Sequence, residues 1–332
     1  MSAGELLRVA VVGATGALGR ELLNVLGERG FPLGGLVALG TDRSLGQELE
    51  FAGEVYPVET RAPGFEGLDL VFLCAPAAAS LDYAGRALRA RVPCIDLSGA
   101  LVSQPDVPLL VADWLDPGTV IDQPLVAGPG GAALAAALVL APLARAAGLL
   151  RIAATSLAAA CVGGREGIHA LSGQSIALFN QQEPCDPGDG LVAFDCLPAV
   201  GELGKGGATD HEERFATTLE RLLGSPVPLA LTAVRVPTFG GDGVSLLVET
   251  ERPLRPEEAR ALLAEAPGVE VWPGEPGPST RTAVGRDAVL VGRLRPAPGA
   301  GHGLQLWIAA DGLRLAASNG VKLAEARPLH RR

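Results

Sequence analysis

Aromatic side chains are scarce in this sequence, with eight Phe, three Trp and two Tyr among 332 residues. Its packing must therefore come from small and branched aliphatic groups, and an apolar share of 48% supplies enough of them for two cores. Basic residues are outnumbered: the net charge of −10 leaves no basic face for a nucleic-acid partner. No block of like charge is long enough to form a tail. Long hydrophobic runs are missing too. The most apolar segment, Gly131 to Ala144, is shorter than a membrane span needs and runs into Arg145, so a buried helix is expected there. The first residues, MSAGELLRVAVVGATG, lack a charged region followed by a cleavable apolar stretch, which predicts no signal peptide. Cys74, Cys94, Cys161, Cys185 and Cys196 are odd in number and show no CxxC spacing. That excludes a disulfide framework and a zinc site, and it fits a reducing cytoplasm.

What is there alternates. Arg8 to Val12 reads as a strand buried on both faces, and Arg20 to Gly30 as a helix through Leu22, Leu23, Val25 and Leu26. Leu36–Leu39, Leu68–Leu73 and Cys94–Leu97 read as further strands, with a helix at Ser80–Arg91. This rhythm predicts a doubly wound parallel sheet. Beyond VAGPGG the pattern changes. Leu229–Pro237, Val244–Glu249 and Leu304–Ala310 read as members of a largely antiparallel or mixed sheet, Gln182–Thr209 as a long excursion, and Leu313–Ala326 as a helix.

Between the first strand and the first helix lies Gly13-Ala14-Thr15-Gly16-Ala17-Leu18-Gly19. A glycine turn there lets the backbone approach a pyrophosphate, whose charge rests on the helix N-terminus. The Rossmann-type reading follows. After the second strand, Arg43 and Ser44 suit the 2′-phosphate of NADP, whereas Asp42 suits the ribose diol of NAD. NADP is the expectation and NAD the alternative.

Several segments together resemble the aspartate-semialdehyde dehydrogenase family: GATGALGRELL, ALGTDRSLGQELEFAG, CIDLSGALVSQPDVPLLV, VAGPGGAA, VRVPTFGGDG and DGLRLAASNGVKLAE. The likeness covers nearly the whole chain. It implies a dinucleotide-binding domain over 1–130, and a substrate and dimerisation domain over 131–312 of the α+β kind found in glyceraldehyde-phosphate dehydrogenase. A C-terminal helix, 313–332, would return to the first domain. A homodimer through the second domain's sheet is implied as well. Family chemistry needs a cysteine thiolate at the start of the long helix, and there this sequence has Gly131. The family's orienting glutamine falls on Ala158, its histidine on Asp242, and its phosphate-binding arginine on Val102. Arg235 resembles the arginine that grips a substrate carboxylate, and Arg214 stands for a second cationic contact, so a small carboxylate ligand is implied. The pattern is most like the family's non-catalytic Usg-type paralogues.

Replacement thiols are few. Cys74 follows a strand at the cofactor edge and Cys161 lies in AAACVGG, but each reads as a small core residue with no nearby histidine. His169, one turn after Arg165, reads as an exposed helix histidine. Direct hydride transfer to another carbonyl substrate would want a Tyr or Lys acid, and Tyr56 and Tyr83 are not well placed for it. A structural or regulatory partner with a vestigial, empty cofactor cleft is the remaining alternative.

Overall fold

The computed structural model describes residues 6–60, 64–185, 190–299 and 301–328. Part of the expected excursion (186–189) and the last four residues of the expected 313–332 segment lie outside them. The chain divides into two compact units, Met1–Gly130 with Ala316–Arg332, and Gly131–Leu315. The first crossing falls at the start of the long apolar helix. The second falls between Leu315 and Ala316, three residues beyond the expected 312/313 boundary and inside the C-terminal helix.

The first unit contains β1 (Leu7–Val12), α1 (Ala17–Glu28), β2 (Leu33–Leu39), β3 (Glu48–Phe51), β4 (Glu54–Glu59), β5 (Leu70–Leu73), α2 (Ala77–Arg89), β6 (Cys94–Asp96) and β7 (Leu125–Ala127). They form one seven-stranded sheet in the order β3-β4-β2-β1-β5-β6-β7. All neighbours run parallel except the β3–β4 edge hairpin. Central strands β1 and β5 are almost wholly apolar and buried, as a sheet covered on both faces demands. One face packs Leu22, Leu23, Val25 and Leu26 of α1 against Val9, Val11 and Phe72. The other packs Ala84 and Ala87 of α2 against Ala10, Val71 and Leu73.

The second unit contains α3 (Gly131–Ala147), β8 (Arg151–Ala158), α4 (Gly164–Phe179), α5 (Asp210–Leu223), β9 (Leu229–Arg235), β10 (Asp242–Glu249), α6 (Pro256–Ala264), β11 (Val269–Val271), α7 (Thr280–Ala283), β12 (Val289–Pro296) and β13 (Gly303–Ala310). Helix α8 (Gly312–Glu325) begins here and ends in the first unit. The sheet order is β11-β12-β13-β10-β8-β9. It is mixed: β8/β9 and β11/β12 are parallel, the other pairs antiparallel. Helix α3 is apolar on every side and lies against α5, α6 and the sheet, which is where an all-round apolar helix can be stable. Helix α5 is fixed differently. Thr209 and Glu212 form a reciprocal cap at its start, and Gly224 closes it in the left-handed conformation.

Candidate functional site

In the first unit the glycine turn has no room for side chains. Gly13 takes φ +85°, and a Cβ there would press on the Cys74 carbonyl and the Ala75 amide at 2.8 Å. A Cβ on Gly19 would run into the Gly13 carbonyl, so Gly19 lets α1 sit directly on the end of β1. Amides of Gly13 and Ala14 both donate to the Leu39 carbonyl, and Arg20 Nε donates to Thr15 O. The start of α1 at Gly16 carries neither a side-chain cap nor an acid in the first turn. Its amide end is thus shaped for an external anion, and a dinucleotide pyrophosphate fits both the shape and the charge.

The second-strand loop is a short turn over Asp42–Ser44. Asp42 and Arg43 are exposed, whereas Ser44 is buried, and its Oγ shares a 2.9 Å hydrogen bond with Thr15 Oγ1. Of the two residues expected at a 2′-phosphate, Arg43 is exposed and Ser44 ties this loop to the glycine turn. Val102 is buried in a loop that Asp96 organises by accepting from Ser98 N, Ser98 Oγ and Leu101 N.

In the second unit, Gly131 opens α3 at φ +59°, and a Cβ placed on it would meet nothing within 4 Å. Asp242 opens β10 beside it. The residue is 3% exposed, and Oδ1 accepts from the Ala159 amide at 3.1 Å. Oδ2 has no donor among the described residues. It points to the start of α8, where a Cβ on Gly312 would run into it and would come within 2.9 Å of Gly131 Cα. Two helix starts and one buried carboxyl therefore converge. Burial, then the charge of Asp311, raises the Asp242 carboxyl to about 6, against the pull of the Ala159 amide. Asp311 itself accepts from the Arg314 and Gly285 amides.

Ala158, at the end of β8, is buried and pairs across the sheet with Arg235 at the end of β9. Arg214 is held by Asp210 one turn earlier on α5. His211, which sequence reasoning missed, lies near enough to both arginines to feel their charge. Burial and then Arg214 and Arg235 push its imidazole below the usual range, with Asp210 and Glu212 opposing, and its buried Nε2 has no partner among the described residues. A position-by-position reading had no means to find it, because only the packing of α5 on β9 brings it to Arg235.

The thiols are poorly placed to attack. Burial, then the neighbouring Asp242 and Asp311, pushes Cys161 up to about 12. Cys74 and Cys94 are raised well above an ordinary thiol, chiefly by burial and next by Asp96. Cys185 and Cys196 are exposed on the excursion. His169 is exposed on α4. Tyr56 and Tyr83 both belong to the first unit, and the Tyr56 hydroxyl donates to Glu54. Among the described residues no cluster of His, Cys, Asp or Glu could hold a metal ion, and no helix is long and apolar enough to cross a membrane.

Comparison with known proteins gives matches along both units. Residues 8–118 match the semialdehyde dehydrogenase NAD-binding domain, and residues 140–315 match the semialdehyde dehydrogenase dimerisation domain. The chain is 34% identical over 330 residues to an aspartate-semialdehyde dehydrogenase of Aquifex aeolicus, covering 96% of this chain and 97% of that protein. It is also 34% identical over 325 residues to a USG-1 protein homolog of Azotobacter vinelandii, covering 96% of each. Aspartate semialdehyde dehydrogenase II of Vibrio cholerae, solved in complex with ASA, superposes with a TM-score of 0.90 at 30% identity, covering 97% of this chain and 98% of that one.

Proposed function

This chain belongs to the semialdehyde dehydrogenase family, and from that membership we propose that it is a dimeric, cytoplasmic, NADP(H)-binding member without aspartate-semialdehyde dehydrogenase activity. The observation that carries the reading is Gly131. The family reaction needs a thiolate at the first turn of the long helix, and Gly131 offers no side chain there. Cys161 does not take over the role, since it is buried beside two carboxyls that oppose its ionisation. The remaining positions agree: Ala158 for the orienting amide, Asp242 for the histidine, Val102 for the phosphate-binding arginine. Relatives of similar identity include both an aspartate-semialdehyde dehydrogenase and a USG-1 protein homolog, so the reading rests on the residues at these four positions and not on overall likeness.

The cofactor side is intact in this reading. Residues Gly13 to Leu18 would hold the pyrophosphate and the exposed Arg43 would meet the 2′-phosphate, and NADP(H) would supply hydride-transfer capacity when bound. Arg235, with the uncharged imidazole of His211 near it, suits a small carboxylate, and Arg214 is nearby but engaged by Asp210.

The test is NADPH formation with aspartate semialdehyde and phosphate, beside an active homologue. Loss of a covalent nucleophile lowers turnover by about a million-fold, so no phosphate-dependent rate is expected. Turnover within a hundredfold of the control, taken here as roughly 3 kcal/mol of barrier, would overturn the proposal.

A further inference from the structure

We infer that Arg20 is a second phosphate-gripping residue of the first unit and that, with Arg43, it sets the preference for a dinucleotide carrying a 2′-phosphate. The inference rests on the reading above that this unit takes NADP(H). It adds a residue that neither the glycine turn nor the second-strand loop supplies.

Helix geometry brings Arg20 to that place. Side chains of an α-helix lean toward its N-terminus, so each covers the turn before its own. Arg20 is the fourth residue of α1 and shares a face with Ala17, three residues earlier. It leans back further than that face requires, and its Nε donates to the Thr15 carbonyl at 3.2 Å. Thr15 also touches the second-strand loop, through the 2.9 Å bond between its Oγ1 and Ser44 Oγ. One threonine thus links the Arg20 guanidinium to the loop that carries Asp42 and Arg43. All of these residues lie within 8–118, the stretch that matches a NAD-binding domain.

The charge pattern points to an anion. A helix start is positive, so an acid is its ordinary companion and a cation there is out of place. Helix α1 does the reverse. It has no acid in its first turn, and a guanidinium is tethered to the residue just before it. Arg20 is exposed, and among the described residues its only hydrogen bond is the one to Thr15. Glu21, the next acid along, accepts from Asn24 on another face of the helix. The bond to Thr15 uses one of five guanidinium donors. Four remain on the two terminal nitrogens, in the fork that matches a pair of phosphate oxygens.

Counting charges assigns the phosphate. Asp42 and Arg43 are neighbours and both exposed, so together they give the loop no net sign. Arg20 makes the balance positive. The pyrophosphate is common to both dinucleotides and is met by the amide end of α1. A 2′-phosphate brings about 1.5 to 2 further negative charges near neutral pH, for which those amides make no provision. The tether of Arg20 to Thr15, the residue bonded to the discriminating loop, is what gives it to the 2′-phosphate.

The experiment is calorimetric titration of the full chain, Arg20→Ala and Arg20→Gln with NADPH, NADH and 2′,5′-ADP, beside phosphorus NMR of bound NADP. The unmodified chain should bind NADPH more tightly than NADH. Arg20→Ala should weaken NADPH and 2′,5′-ADP by about tenfold, the value of one charge-assisted contact, and NADH by about twofold or less. The bound 2′-phosphate resonance should shift in the variant while the two pyrophosphate resonances hold. Equal losses for NADPH and NADH would give Arg20 to the pyrophosphate, and an undiminished NADPH preference would leave it a surface residue. Either result overturns the inference while the reading above stands. Should Arg20→Ala fail to fold, Arg20→Gln carries the same comparison with a strong helix former. No NADPH preference in the unmodified chain would overturn the reading and the inference with it, and that result is seen before any variant is made.

Discussion

Two glycines that lie side by side should respond very differently to the same added methyl group. Gly131 sits at φ +59° with open space where its Cβ would be. Gly131→Ala therefore meets only a backbone penalty, about 1–2 kcal/mol for the left-handed conformation, less the roughly 0.4–1 kcal/mol recovered from a stiffer unfolded chain. Gly312 lies outside the left-handed region, but its Cβ would overlap Asp242 Oδ2 and crowd Gly131 Cα at 2.9 Å. Overpacking of that kind costs about 1–3 kcal/mol, and displacing the carboxylate from the Ala159 amide adds about 1–3 more. With about 2–4 °C per kcal/mol for a unit this size, Gly131→Ala should lower Tm by about 3 °C and Gly312→Ala by about 8 °C or more. Thermal and urea unfolding, followed by far-ultraviolet circular dichroism, measure both. The cycle with Asp242→Ala isolates the cause: the double variant should lose less than the two singles together by about 1 kcal/mol or more. Equal losses for the two glycines, or strict additivity in the cycle, would refute the convergence of α3, α8 and Asp242.

Other expectations follow from the same residues. NADPH should bind more tightly than NADH, and Arg43→Ala should cost NADPH about tenfold while sparing NADH, as the loss of one charge-assisted phosphate contact predicts; calorimetric titration decides, and equal affinities would give Asp42 the site instead. Light scattering at micromolar concentration should report twice the 33.8 kDa chain mass, since the match over residues 140–315 is to a dimerisation domain; a monomer would contradict it. The Asp242 carboxyl, raised from 3.8 to about 6, binds its proton more tightly in the folded chain than in the unfolded one. Its contribution is therefore intact below about pH 4 and is lost as pH rises to about 6, a fall of roughly 3 kcal/mol at 1.36 kcal/mol per unit. Asp242→Asn should flatten that fall between pH 4.5 and 7.5 in urea titrations, and an unchanged slope would show that another group sets it.

The parallel core was legible because buried strands read as short apolar runs and the glycine turn marks where the first helix starts. Strand β1 and helix α1 lie within a few residues of the expected bounds. The β3–β4 hairpin was not legible. Its two-residue turn is Ala52-Gly53, both at positive φ, and alanine hides a turn that asparagine would have advertised. In the second sheet the antiparallel strands alternate visibly, whereas the parallel pairings of β8/β9 and β11/β12 depend on crossovers that no local pattern encodes. The site divides in the same way. Gly131, Ala158, Asp242 and Arg235 are readable one at a time by their place along the chain. Gly312 and His211 become relevant only through contacts between elements distant in sequence. Pro142 lies inside α3, which continues past the expected Ala144 to Ala147 because its apolar surround keeps that segment helical.

The hydroxyl bridge between Thr15 and Ser44 bears on how cofactor preference can change in this lineage. In the proposed reading, the loop over Asp42–Ser44 reads the dinucleotide and the glycine turn holds its phosphates, and a buried contact between residues 29 apart in sequence braces the two. A graft of residues 41–44 from a chain of the other preference would remove that brace, and the cradle would loosen for both dinucleotides at once. Drift from one cofactor to the other is thereby funnelled through Asp42 and Arg43, whose side chains can be exchanged while the brace stays in place.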